Sequence, residues 1–143
     1  MKIKLDRGAY MPLRAHKHDG GLDIRTPRDI LIGRGKSAVI DTGVHIEIPD
    51  GCVGLLMSKS GLNVKRGIST YHGVIDHGYT GSVVAKLRND SDKDVYLEDG
   101  DKITQLVIVP VVTEFELEEV DSTDDFYGGN SERGDNGFGS SGR

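Results

Sequence analysis

Asp76 and Tyr79 stand three residues apart in Gly73-Val74-Ile75-Asp76-His77-Gly78-Tyr79, and their side chains are the ones best suited to act on a small molecule. A carboxylate can take a proton from water, and a phenol offers a flat apolar face with a polar tip. The chain shows no Ser or Cys with an evident base partner and no Walker phosphate loop. Water is therefore the candidate nucleophile and Asp76 the candidate to activate it. Val74 and Ile75 favour a strand, and Gly78 with Gly81 permits a tight reversal. Ser69 to Val83 thus reads as a β-hairpin with Asp76 and Tyr79 near its tip. The plainer reading is a common hairpin whose Asp bonds its own turn amides.

Four other stretches carry chemistry-bearing residues. In Asp19-Gly20-Gly21-Leu22-Asp23-Ile24, strand alternation sets Asp23 on the face opposite Leu22 and Ile24, where it is a candidate ligand or an exposed strand carboxylate. Ser58-Lys59-Ser60-Gly61 precedes a helical stretch that Gly67 is placed to end. Ser60 is the expected N-cap, and free N–H groups at such an end suit a phosphate or serve a plain connector. Gln105, set among apolar neighbours, is either a cross-strand hydrogen-bonding amide or a ligand contact. Arg133-Gly134-Asp135-Asn136-Gly137-Phe138-Gly139-Ser140-Ser141-Gly142 places one cation and one aromatic ring in a backbone free enough to fold over phosphates.

The elements that must position these residues are short strands. Lys2 to Leu5, Asp29 to Ile32, Ala38 to Asp41, Val44 to Ile48, Val53 to Met57, Ser82 to Arg88 and Lys93 to Leu97 alternate or run apolar between turn residues. Ile103 to Val112 reads as a core strand that Pro110 ends at an edge or bulge. Close spacing of such strands indicates an all-β sandwich or barrel. A chain of 143 residues is one domain with one sizeable core, and 20 glycines suit many turns. After Leu117 the pattern dissolves into a tail expected to be mobile when empty.

Charge and composition exclude other classes. Glu114 to Glu132 holds eight acids and no Lys or Arg, leaving +3 for the remainder against a total of −5. A mildly basic body fits a small polyanion, and neither nucleic acid nor membrane is an expected partner. No apolar run approaches a membrane span, and Met1-Lys2-Ile3-Lys4 opens no signal peptide. The lone Cys52 builds no disulfide framework, so the cytoplasm is the expected compartment and a core position its expected use. His16 and His18 lack a third ligand at normal spacing and read as solvated loop residues.

Five segments, in order, resemble the motifs of the trimeric dUTPase family (deoxyuridine triphosphate nucleotidohydrolases). Asp19 to Ile24 is similar to the first, Asp-Ala-Gly-x-Asp-Leu. Ser58 to Asn63 is similar to the second, Pro-Arg-Ser-Gly-Leu-Ala, with Ser58 for its Pro and Lys59 for its Arg. Lys keeps the charge but loses the planar fork. Gly73-Val74-Ile75-Asp76-x-x-Tyr79 resembles the third. Gly100-Asp101-Lys102-Ile103-Thr104-Gln105-Leu106 resembles the fourth, Gly-Asp-Arg-Ile-Ala-Gln-Leu. Arg133 to Gly142 resembles the fifth, with Asn136 in place of one glycine.

The resemblance implies an all-β fold, a distorted jelly-roll or β-clip barrel with one short helix. It implies a homotrimer with active sites between subunits, built from a β domain over 1–120 and a mobile C-terminal arm over 121–143. The implied reaction is hydrolysis of dUTP to dUMP and pyrophosphate with Mg²⁺, by attack of Asp76-activated water on the α-phosphorus. That reaction limits uracil incorporation into DNA and supplies dUMP for dTTP synthesis. By the same resemblance Asp23 holds magnesium-bound waters, while Ser58, Lys59, Ser60, Gly61 and Gln105 meet the phosphates. The backbone near Gly73 and Ile75 reads uracil, and Tyr79 lies under the deoxyribose and excludes a 2′-hydroxyl. Thr70 stands where many members have Asn. Arg133, Gly139, Ser140 and Ser141 meet phosphate oxygens, and Phe138 covers the base. Two alternatives share the resemblance: a related dCTP deaminase, and a dUTPase-like protein that regulates a partner, as some phage members do.

Overall fold

The computed structural model describes residues 1–132, so the Arg133–Gly142 match lies outside the described residues. Eleven strands are interrupted by one α-helix. They are β1 (Ile3–Leu5), β2 (Gly21–Arg25), β3 (Ile30–Ile32), β4 (Ser37–Asp41), β5 (Val44–Ile46), β6 (Cys52–Met57), then α1 (Ser60–Arg66). After the helix come β7 (Ile68–Thr70), β8 (Gly73–Ile75), β9 (Val84–Asn89), β10 (Val95–Leu97) and β11 (Lys102–Pro110). The expected strands are all present, most of them shifted or trimmed at their ends where Gly, Pro and Asp take over.

The strands pair antiparallel into four sheets, β1-β5, β10-β3, β2-β11-β6-β8 and β4-β9-β7, and among the described residues they do not close into one barrel. Nearly every ladder joins segments far apart in sequence, such as Gln105 with Asp23 and Leu5 with Val44. Two apolar clusters result. One gathers Ile30, Ile32, Ile40, Ile68, Leu87, Leu97 and Ile103; the other gathers Leu22, Ile24, Ile46, Ile48, Leu56, Ile75 and Leu106. β11 serves both, because strand alternation turns Ile103 toward the first and Leu106 toward the second; its pairing with β2 also shifts register between Lys102 and Thr104. Cys52 is a half-buried thiol packed beside the second cluster, as its position at a strand start suggests.

Three local expectations are corrected. Ser69 to Val83 does not form a hairpin: β8 pairs with β6, whereas β9 lies between β4 and β7 with both edges taken. The segment between β8 and β9 instead turns at Asp76, whose carbonyl accepts the Tyr79 N–H at 3.2 Å. Ser60 is not the N-cap of α1. Lys59 fills that place in extended conformation without a side-chain cap, and its carbonyl accepts the Asn63 N–H at 2.8 Å. At the other end Gly67 caps the helix at φ 66, where Ser91 leaves no room for a Cβ. Finally, a second short helix joins the one expected, a 3₁₀ segment over Thr123–Gly129.

Residues Met1–Thr113 form one unit and Glu114–Arg143 another. All strands lie in the first. Within the second, the Ser122 hydroxyl accepts the Asp124 N–H at 3.1 Å, and Phe126 and Tyr127 meet edge to face at 6.5 Å. No helix among the described residues is long and apolar enough to cross a membrane.

Gly54 gives a direct test of the packing around β6. A Cβ there would lie 2.9 Å from Leu106 Cδ1, 3.0 Å from Ile48 Cδ1 and 3.3 Å from Ile75 Cβ. Gly54→Ala should lower stability by about 1–3 kcal/mol through overpacking, read as a lower urea midpoint with an unchanged m-value. An unchanged midpoint would show that the second cluster has slack at this point.

Candidate functional site

Asp23 sits in the middle of β2, with flanking residues on both faces covered, and its side chain is only 8% exposed. It is therefore a buried carboxylate and not a solvated strand residue. Two cations hold it. Lys59 Nζ donates to Oδ1, and Lys102 Nζ donates to Oδ2 at 2.7 Å. Burial pushes the Asp23 carboxyl up, but the ammonium groups of Lys102 and Lys59 outweigh that and hold it below the ordinary carboxylate range. Lys102 is the member of this set that sequence reading passed over. Its signal was available, since it occupies the Arg position of the fourth motif.

Gln105 lies directly opposite Asp23 across the β2–β11 ladder and opposite Met57 across the β6–β11 ladder. Its amide Nε2–H donates to the Ser58 carbonyl at 2.9 Å, so it bonds across strands at the point where β6 gives way to α1. Its Oε1 crowds Gly21, where any Cβ would collide with it. The Ser58 hydroxyl in turn accepts the Thr70 N–H at 2.8 Å, and Thr70 is buried. Asp23, Lys59, Lys102, Gln105, Ser58 and Thr70 thus form one connected polar set, with Ser60 and Gly61 following as the first residues of α1.

Asp76 and Tyr79 are placed elsewhere. Ile75 pairs with Gly54, whereas Gln105 pairs with Met57, three residues away along β6 or about 10 Å. Asp76 lies one residue farther from the set, while Gly73 pairs with Leu56 nearer to it. The candidate residues therefore fall into two groups joined by one strand. The Asp76 side chain is exposed and makes no hydrogen bond or ion pair among the described residues, so it does not bond its own turn amides. Tyr79, 49% exposed, donates its hydroxyl to the Ser82 carbonyl at 3.1 Å, and its ring lies against Gly81, where a Cβ would overlap it. Leaning on Gly81, the ring is about half exposed. Arg133, Phe138, Gly139, Ser140 and Ser141 lie outside the described residues.

His16 is bonded to Asp19 at 3.2 Å in an exposed turn, in keeping with a solvated loop. Among the described residues no group of three His, Cys, Asp or Glu side chains is placed to hold a metal ion.

Comparison with known proteins bears on this arrangement. The sequence model of the dUTPase family matches residues 7–142. The deoxyuridine 5'-triphosphate nucleotidohydrolase of Mycolicibacterium gilvum is 38% identical over 98% of this chain and 92% of its own length. That of Clostridium tetani is 38% identical over 100% and 97%. Among solved structures, the dUTPase of Staphylococcus bacteriophage 80alpha with dUPNHPP superposes with a TM-score of 0.90 at 35% identity, covering 99% of this chain and 98% of that one. A mutant dUTPase from phage phi11 of S. aureus, described with a structural Mg(II) ion, has a TM-score of 0.78 at 32% identity, covering 85% and 96%.

The Asp23 set predicts an acid dependence of stability. A carboxyl whose folded pKa is depressed contributes stability that is present above its unfolded pKa, near 3.9, and is lost as pH falls through the folded value. Asp23→Asn should lower the urea midpoint at pH 7 by the equivalent of about 1–3 kcal/mol. It should also weaken the decline of stability below about pH 4. Identical acid profiles for the two proteins would show that the two lysines give Asp23 no stabilising interaction.

Proposed function

The chain belongs to the dUTPase family and hydrolyses dUTP, and on that premise we propose that Asp76 activates the attacking water while the Asp23 set receives the triphosphate. The deaminase alternative falls away with the family assignment. The observation that carries the catalytic reading is the exposed carboxylate of Asp76, which has no hydrogen-bond or ion-pair partner among the described residues and is held on a turn three residues before the Tyr79 ring. A triphosphate brought next to that carboxylate strengthens it as a base by like-charge repulsion, and attack falls on the α-phosphorus.

The phosphates are met by Lys59, Ser60, Gly61 and Gln105, with Ser58 and Thr70 holding the strand end that presents them. The backbone around Gly73 and Ile75 reads the uracil. The Tyr79 ring packs under the deoxyribose and leaves no space for a 2′-hydroxyl. Arg133, Gly139, Ser140 and Ser141 close on phosphate oxygens and Phe138 on the base, an assignment that rests on the fifth motif alone.

By the family resemblance Asp23 would hold the ion's waters, a role in which water would have to share or replace the Lys59 and Lys102 ammonium groups now bonded to its two oxygens. An ion taking most of its ligands from phosphates and water needs no protein cage. When bound, magnesium would offset phosphate charge.

The separation of the two groups along β6 supports sites shared between copies of the chain. We place a body over 1–120, in distorted jelly-roll or β-clip form, in a homotrimer, with an arm over 121–143 that reaches a neighbouring copy. The lone Cys52 thiol fits a reducing cytoplasm.

Two measurements test this reading. Asp76→Asn should bind a non-hydrolysable dUTP analogue as the parent protein does and lose about 10²–10⁴-fold in kcat; a kcat near the parent value removes Asp76 from the mechanism. Sedimentation at micromolar concentration should give three chains per particle, and a fully active monomer would contradict a shared site.

A further inference from the structure

The turn that carries Asp76 and Tyr79 runs antiparallel to the segment 41–48, yet backbone bonds join the two only at one end. There the Val83 N–H donates to the Val44 carbonyl at 2.8 Å, and the Thr42 N–H donates to the Val83 carbonyl at 3.1 Å. Toward the turn, side chains take over. The Ser82 hydroxyl donates to Asp41, one ring nitrogen of His45 lies 2.8 Å from the Thr80 carbonyl, and Nδ1 of His77 lies 2.9 Å from the Ile48 carbonyl. Contacts at 41, 45 and 48 thus meet 82, 80 and 77 in reverse order. A carbonyl only accepts, so both imidazoles donate from Nδ1.

We infer that His45 is a positioning residue: by fixing the Thr80 carbonyl, its Nδ1–H holds the Tyr79 ring where it discriminates deoxyribose from ribose. The inference rests on the reading of Tyr79 given above. The ring has few other supports. It leans on Gly81 and ties its hydroxyl to Ser82, so its position follows that of the 80–82 backbone. The peptide that His45 grips joins Thr80 to Gly81, directly under the ring. A half-turn of that peptide would move both supports together.

The other side of the imidazole is built so that the grip survives a change of protonation. Nε2 lies 3.1 Å from an Asp6 carboxylate oxygen and 3.4 Å from Lys4 Nζ, and Lys4 and Asp6 pair with each other at 2.6 Å. The charged ring donates to Asp6; the neutral ring, keeping its proton on Nδ1, accepts from Lys4. Either form leaves Nδ1–H on Thr80. The Thr80 carbonyl and then Asp6 raise the His45 pKa above the ordinary imidazole value. Asp41 also faces this group, and Lys2, Glu47 and His77 line the same recess of about 590 Å³ beside Tyr79.

The test compares kcat and KM for dUTP and UTP, with Mg²⁺, in the parent protein and in His45→Asn, His45→Gln and Tyr79→Ala. An Asn amide nitrogen can occupy the place of Nδ1, whereas a Gln amide reaches the place of Nε2. His45→Gln should lose about tenfold or more of the preference for dUTP and exchange its Tyr79 amide proton faster. His45→Asn should stay within about threefold of the parent on both readouts. Equal losses in the Asn and Gln variants, or no loss in either while Tyr79→Ala loses discrimination, would overturn the inference. If Tyr79→Ala itself discriminates as the parent does, the reading of Tyr79 fails, and His45 has no role in sugar choice.

Discussion

β6 is hydrogen-bonded along both edges, to β11 on one side and β8 on the other, and the functional residues are placed by that double pairing. A strand with both edges occupied has no freedom to slip, because a shift of one residue would turn Leu56 out of the core and break two ladders at once. Gly54 is what allows the approach, since the side chains of Leu106, Ile48 and Ile75 converge on its bare Cα. Tight packing at the centre of the strand therefore fixes both of its ends. One end passes into Ser58 and Lys59 beside Gln105. Toward the other, β8 runs out through Ile75 into Asp76.

Electrostatics then distinguishes the two ends. At the first, a buried carboxylate lies between two ammonium groups, so the Asp23 set keeps one net positive charge. That is the sign a polyphosphate requires, and Lys102, whose side chain is 40% exposed, carries it toward solvent. At the second, Asp76 is exposed and has no side-chain partner among the described residues. On the proposed reading these two environments would divide the work of a hydrolase between a cationic receiver and an anionic base, and within one copy the length of β6 keeps them apart.

Much of this was legible in the sequence, and the exceptions have physical reasons. Alternation found the strands, and Gly67 marked the end of α1, because local sterics decide both. Strand partners were not legible. Gly78 and Gly81 signal a reversal, but nothing in Ser69 to Val83 shows that distant β4 has already taken one edge of β9. Ser60 has the side chain of an N-cap, yet Lys59 holds that position, with its ammonium drawn to a carboxylate 36 residues away. Asp23 was read as facing away from Leu22 and Ile24, which its strand period requires. That the opposite face is also covered depends on Lys59 and Lys102, which only tertiary structure brings there. His45 and His77 bond to carbonyls, and a bond to a main-chain atom leaves no motif.

The ladder pairing Gln105 with Asp23 also has a consequence for synthesis. On the ribosome, β2 emerges with only the single bridge from Asp23 to Leu13 on one edge, and its other edge stays open until β11 follows, about eighty residues later. β6 can join β8 sooner, but its other edge waits for β11, so the second apolar cluster stays open until the chain past Leu106 has been made. Domains with so many distant pairings fold slowly and expose unpaired strands in the interval. The segment from Glu114 to Glu132, with its eight acids and no Lys or Arg, comes directly after β11 and its short exit. The nascent protein can thus complete its core only after β11 has been made, with an anionic segment following directly behind it.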